Sequence, residues 1–348
     1  MAGLGALKRT MGYTIILIFA IFLGLLSIIS YAFFLDPFSS LVIGLMGGLF
    51  IMLLQFLLGP AIVAATSRLH YLNPGENQWL ESKVSELSSK SGIPMPRLAI
   101  APNPTPNAFV FGRSQRGATL AVHQGLLERL NEEEIEGVLA HELGHVKHRD
   151  FIVVTLISAI PLVAYLIART VFWTGATSRS RRGSRQEGGA GLLLIAAIGA
   201  YIVYILTTIL ALRLTRLREH YADAYSGFLT GKPRQLSSAL TKIAYGLSLS
   251  PEEPHGARAF FIEDPAQAKR DVAQIVEQKS RYDLDRDGVL SERELQVAME
   301  DEARSNWRKA NELFSTHPPI FKRILLLREI EQDLESGTFQ QTDIYRHV

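Results

Sequence analysis

The chain has 348 residues, 36 lysines and arginines against 34 aspartates and glutamates, and no cysteine. A net charge of +2 gives no footing for nucleic acid, and the lack of thiols excludes disulfides and thiolate metal sites. Charge is sharply segregated: long apolar runs alternate with charged blocks, which predicts a chain divided between bilayer and water.

No charged residue occurs from Thr10 to Leu35 or from Pro37 to Ser67. Each run exceeds the roughly 20 apolar residues that cross a hydrocarbon core. They predict a transmembrane hairpin over 1–70, with spans at about 11–35 and 40–66. Lys8 and Arg9 precede the first span, Arg68 follows the second, and the connection at 36–40 carries no positive charge. The positive-inside rule then puts the N-terminus and everything after residue 68 in the cytoplasm. The first run is too long for a signal peptide and ends without a small-residue cleavage site.

Residues 71–150 read as a water-soluble unit. Asn77 to Ser91 has the pattern of an amphipathic helix, and Arg97 to Ala101 that of a strand between Pro96 and Pro102. Residues 107–112 and 118–122 form a hairpin pattern, and Pro104 and Pro106 suit a sheet edge. Asn107, Ala108, Phe109 and Gly112 thus mark an edge strand to which extended substrate could add, a merely solvated edge being the alternative.

The next helix is well signalled. Asn131 is an N-cap residue, Glu134 stands at the capping-box position, and acidic residues at 132–134 suit the positive end of the helix dipole. It carries His141-Glu142-Leu143-Gly144-His145. Histidines at i and i+4 share a face and can hold one zinc ion, with Glu142 beside them as general base. Lys147-His148-Arg149-Asp150 closes the helix with charge, which favours a site at the membrane surface rather than within it.

Two further apolar runs, Phe151 to Ala168 and Gly188 to Leu212, predict a second hairpin over 151–212. Its connection, 174–189, holds Arg179, Arg181, Arg182 and Arg185. A polar helix is expected from Leu214 to Phe228. A catalytic zinc takes three protein ligands. The metzincin spacing fails, because 148 and 151 are His and Phe. Glu219 is the expected third ligand, with His220 as local competitor and Asp223, one turn on, holding a ligand imidazole. Glu219 and the histidines must lie on one side of the bilayer, so both later runs cross or neither does. Crossing would put the arginine-rich connection outside, against the charge bias; whether this hairpin spans stays open.

Residues 283–294 match a calcium-loop pattern: Asp283, Asp285 and Asp287 at positions 1, 3 and 5, Gly288 at 6, the Val289 carbonyl at 7, Ser291 at 9 and Glu294 at 12. Oxygen ligands at this spacing wrap a hard cation, Ca2+ or Mg2+, and helical stretches at 265–282 and 291–313 flank them. An acidic surface turn is the plainer alternative. Farther on, His317 follows Thr316 and precedes Pro318 and Pro319; a lone histidine there is usually structural, an oxyanion donor near the zinc being the alternative, and spacing alone does not decide between them.

Together these features resemble an HtpX-type membrane zinc metalloprotease, a family related to the membrane proteases that process prenylated C-a-a-X proteins. The resemblance rests on Pro106-Asn107-Ala108-Phe109, on HELGHVKHRD at 141–150, on Arg218-Glu219 with Ala222-Asp223, and on His317-Pro318 with Arg323-Ile324. It implies a mainly α, α+β fold: a zincin-like protease domain with a small edge-strand sheet and four transmembrane helices. It also implies multi-pass residence in the cell membrane, a cytoplasmic catalytic domain, His141, His145 and Glu219 as zinc ligands, and degradation of misfolded or damaged membrane proteins. His317 and Arg323 match positions that act on substrate or transition state. The catalytic domain is then split into 71–150 and 213–348, with the calcium-type loop in an insertion at about 251–312 to which the family assigns no role. The expected partners are unfolded polypeptide or membrane-protein substrates and the lipid bilayer. Two rival readings are an intramembrane zinc protease and a non-catalytic, calcium-sensing membrane scaffold with structural zinc.

Overall fold

The computed structural model describes residues 4–34, 37–153, 187–248, 279–283, 315–337, and separate positions in 161–172, 262–298 and 344–348. Two units are distinguishable: residues 1–7, 60–151 and 215–348 form one, and 8–59 with 152–214 form the other.

Among its described residues the second unit is helical. It includes most of α1 (Leu4–Phe34) and of α2 (Pro37–Thr66). Met46, Phe50, Leu53 and Leu57 of α2 are exposed, an apolar surface that water would penalise and lipid would not. Among the described residues two helical stretches are long and apolar enough to cross a membrane, Met46–Thr66 and Ala197–Thr230, and Arg9–Gly24 is a shorter apolar stretch. Most of the third apolar run and the arginine-rich connection lie outside the described residues.

In the first unit, among the described residues, β1 (His70–Tyr71), β2 (Arg97–Ala101), β3 (Ala108–Phe111) and β4 (Thr119–His123) make one sheet in the order β1-β2-β4-β3. The expected hairpin is there: β3 pairs antiparallel with β4, Phe109 opposite Ala121. β4 returns parallel to β2, Leu98 opposite Leu120, which leaves β3 at the edge. Alternation then sorts the side chains by face. Ala99, Phe109, Phe111 and Ala121 meet Val63 near the end of α2. Leu98, Val110 and Leu120 point the other way and are buried too, each large side chain contributing roughly 1.5–3 kcal/mol on burial. Gly112 lies just past β3 rather than in it. A Cβ there would sit 2.6 Å from the Gly117 carbonyl oxygen, so the turn needs glycine.

α3 (Gln78–Ser91) starts on the Asn77 side chain, which accepts from Leu80 N, and stops at Gly92 in the left-handed conformation. After the short α4 (Gln124–Arg129) comes α5 (Glu132–His148), which packs on α3, on β3 and on α7 (Pro233–Ser248). α7 in turn packs on α8 (Ile320–Glu335). Between α5 and α7 in sequence, α6 (Glu187–Thr230) is one uninterrupted helix. The polar segment expected to begin afresh at Leu214 instead continues the apolar run. No Gly or Pro stands between 200 and 226 to break it.

Candidate metal centre

The chemistry-bearing helix is fixed at both ends. At its start Asn131 Oδ1 accepts from Glu134 N and Glu134 Oε2 accepts from Asn131 N, both at 2.9 Å, as the capping-box pattern predicts. Glu134 Oε1 also accepts from Ser238 Oγ at 2.6 Å and Lys242 Nζ at 2.7 Å, which ties the helix to α7. At its end Arg149 adopts the left-handed conformation (φ 62°), and its N–H caps the His145 and Val146 carbonyls. Such a conformation costs a residue with a Cβ about 1–2 kcal/mol. The turn it makes brings Asp150 back beside His145.

α6 reaches this helix at its glycine. A Cβ on Gly144 would lie 3.3 Å from the Ala222 Cα, so the two backbones approach closely there. Ser226 Oγ donates to the Gly137 carbonyl at 2.7 Å on the same side. The approach carries Glu219 to the histidines: Oε2 lies 3.5 Å from His141 Nε2, and Oε1 lies 3.5 Å from His145 Nε2. The two Nε2 atoms are 3.2 Å apart. Ligands held about 2.0–2.1 Å from one tetrahedral zinc would sit about 3.3 Å from each other, so this spacing fits the ion. Among the described residues, His141, His145 and Glu219 form the group able to hold a metal; His220 is not in it.

The tautomers point the same way. His141 Nδ1 lies 2.9 Å from Asp223 Oδ1, and His145 Nδ1 lies 2.7 Å from Asp150 Oδ2. His145 Nδ1 hydrogen-bonds Asp150 and His141 Nδ1 sits against Asp223, so both Nε2 atoms are turned toward the centre. Two imidazole nitrogens and a carboxylate converge there, a donor set that suits a divalent cation. Charge agrees: burial works against a protonated His141, yet Asp223 and Glu219 overcome it and raise its pKa to about 9. A pocket that favours positive charge this strongly suits a metal ion.

Both orienting carboxylates are themselves held. Arg323 forks onto Asp223, Nε to Oδ2 at 2.8 Å and Nη2 to Oδ1 at 2.7 Å. Arg218 Nε lies 3.0 Å from Asp150 Oδ1. Burial would raise the Asp150 pKa, but the Arg218 charge and His145 hold it below the usual carboxylate range. Asp223 stands where the sequence expects it. The matching role of Asp150 and Arg218 has no counterpart in the sequence reading, because the turn that creates it is made by an arginine, which carries no left-handed signal. Arg323 is fully buried, and its fork is spent on Asp223 and on the Ile262 carbonyl, which accepts from Nη1. It stands behind a ligand histidine, with Nη2 3.8 Å from Glu219 Oε2.

Glu142, between the two histidines, is buried, and burial raises its pKa. His317 is brought in: its Nε2 lies 4.0 Å from Glu219 Oε1. Of the expected edge-strand residues, Ala108 and Phe109 lie in β3 with their side chains buried. Asn107 precedes it and is engaged, its Oδ1 accepting from Ile262 N and its carbonyl from His123 N, both at 2.9 Å. Of the calcium-type loop, Asp285, Asp287, Val289 and Ser291 lie outside the described residues; Asp283 is half-buried and Glu294 buried.

The sequence pattern of Peptidase family M48 matches residues 74–331. The Protease HtpX homolog of Aeropyrum pernix is 32% identical over 337 residues, covering 91% of this chain and 96% of its own. That of Methanothermobacter thermautotrophicus is 40% identical over 214 residues, covering 60% and 78%. Among solved structures, S. mikatae Ste24p superposes with a TM-score of 0.50 at 14% identity, over 89% of this chain. This chain spans 62% of that longer one, and the likeness concerns the fold alone. M48 metalloproteases use zinc, the ion that the His-His-Glu spacing fits. The chain belongs to peptidase family M48 and is a metalloprotease.

Proposed function

We propose that this protein is a multi-pass membrane zinc endopeptidase that cleaves misfolded or damaged membrane proteins at the cytoplasmic face. The observation that carries the reading is the convergence of His141 Nε2, His145 Nε2 and a Glu219 carboxylate oxygen, all within 4.8 Å of one another, beside the buried Glu142. When bound, the ion supplies Lewis acidity toward the scissile carbonyl and the attacking water. His141, His145 and Glu219 hold it, and Asp223 and Asp150 keep both imidazoles in the metal-binding tautomer. Glu142 takes the proton from water and passes it to the leaving amine, a task its raised pKa suits. His317 Nε2 donates to the developing oxyanion, worth a few kcal/mol. Thr316 Oγ1 lies 3.0 Å from His317 Nδ1, and a hydroxyl donating there leaves the ring proton on Nε2, where it is needed. Arg323 acts through Asp223. Extended substrate adds its main chain along β3, the edge strand on which α5 packs.

Two transmembrane hairpins, 1–70 and 151–212, flank the first half of a catalytic domain completed by 213–348. The charges that bracket the metal-binding helix, Glu132 to Glu134 at its start and Lys147 to Asp150 at its end, favour this over an intramembrane protease. Membership in a peptidase family disfavours a non-catalytic scaffold. The test is cleavage of an unfolded membrane protein in proteoliposomes by wild type and E142Q. Cleavage by wild type alone supports the reading, and equal cleavage by both refutes it.

A further inference from the structure

Arg216 lies three residues before Glu219 on α6, close to the same helix face. It is buried, and its Nη1 donates to the Ser315 carbonyl at 2.7 Å. Ser315 Oγ in turn donates to the His317 carbonyl at 2.7 Å. Residues 315–319 belong to no helix or strand, so side-chain anchors of this kind decide where the segment sits. A guanidinium–carbonyl bond is charge-assisted and, in a dry setting, stronger than a neutral one. One helix thus carries both a metal ligand and the anchor for the loop that presents His317 to it.

We propose that Arg216 is a positioning residue for peptide hydrolysis: by gripping the Ser315 carbonyl it fixes the His317 imidazole against the Glu219 side of the metal centre. The inference rests on the reading of His317 as oxyanion donor. The ligand histidines are oriented by Asp223 and Asp150, not through the 315–319 segment, so Arg216 bears on kcat and not on metal retention.

The experiment compares full-length R216Q, R216K, S315A, H317A and the double variant R216Q/H317A in detergent, measuring zinc content, kcat and KM on one unfolded protein substrate. R216Q lowers kcat roughly 10- to 100-fold, the cost of misplacing a catalytic donor by about 1 Å. Its zinc content and KM stay as in wild type. R216K recovers part of the loss, because an ammonium still donates to the carbonyl, and S315A lowers kcat in the same direction. In the H317A background R216Q costs nothing further. Wild-type kcat in R216Q overturns the proposal, as does an equal loss with and without His317. If R216Q does not fold, unchanged kcat in both R216K and S315A overturns it instead. An impaired H317A beside a normal R216Q sinks this inference alone, whereas a fully active H317A sinks the oxyanion reading as well.

Discussion

Asp150→Asn keeps the size of the side chain and removes its charge at a position where that charge has two partners. Asp150 is fully buried, 2.7 Å from His145 Nδ1 and 3.0 Å from Arg218 Nε. The amide still accepts one hydrogen bond, but it no longer raises the basicity of the ligand imidazole, and it leaves Arg218 without its counter-charge. Loss of a carboxylate behind a metal-bound histidine costs about 10- to 100-fold in metal affinity, or about 1.4–2.7 kcal/mol. Breaking a buried ion pair on one side adds about 3–5 kcal/mol of destabilisation. Zinc affinity measured by competition with a chelator should therefore fall by one to two decades, with a lower thermal midpoint. D223N should behave alike at His141, since Arg323 stands to Asp223 as Arg218 stands to Asp150. Wild-type zinc affinity in D150N would refute the reasoning, because it would show that the charge behind His145 adds nothing to its hold on the metal.

H317A should retain zinc and lose about 10²–10³-fold in kcat, the usual cost of one oxyanion donor, as steady-state kinetics would show. Because burial raises the Glu142 pKa, kcat/KM should fall as pH drops through a value above the usual 4.5, while zinc content holds. A rate that tracks zinc loss instead would assign that limb to the histidines. Gly144→Leu should unseat α6 from α5, because even a Cβ there meets the Ala222 Cα at 3.3 Å, and zinc binding should go with it. The chain has no cysteine, so single cysteines placed at 174–189 report cleanly, by labelling from either side, whether the second hairpin crosses.

Much of this architecture is legible before any coordinates. The capped helix, the i, i+4 histidines, the β3–β4 hairpin and the prolines marking an edge all rest on short-range chemistry that a sequence displays openly. Glu219 is within reach because a zinc with two histidines asks for a third ligand, and Asp223 because it lies one turn beyond. The features that stay hidden depend on the tertiary fold. β1 has only two residues, too few to leave a pattern. The parallel pairing of β2 with β4 is a matter of topology, not of local alternation. Asp150 stands in a charged block that reads as surface, and only the left-handed Arg149 turns it inward. Arg323, which the resemblance assigns to substrate or transition state, is buried behind Asp223, where an orienting carboxylate at a metal site needs its own counter-charge.

The decisive comparison is zinc per chain against cleavage rate, read side by side on wild type, E142Q and E219Q after dialysis against a weak chelator. Wild type should hold one zinc and cleave, E142Q should hold one zinc and not cleave, and E219Q should lose both. An E219Q protein that keeps its zinc and its activity would contradict the three-ligand centre on which the mechanism is built.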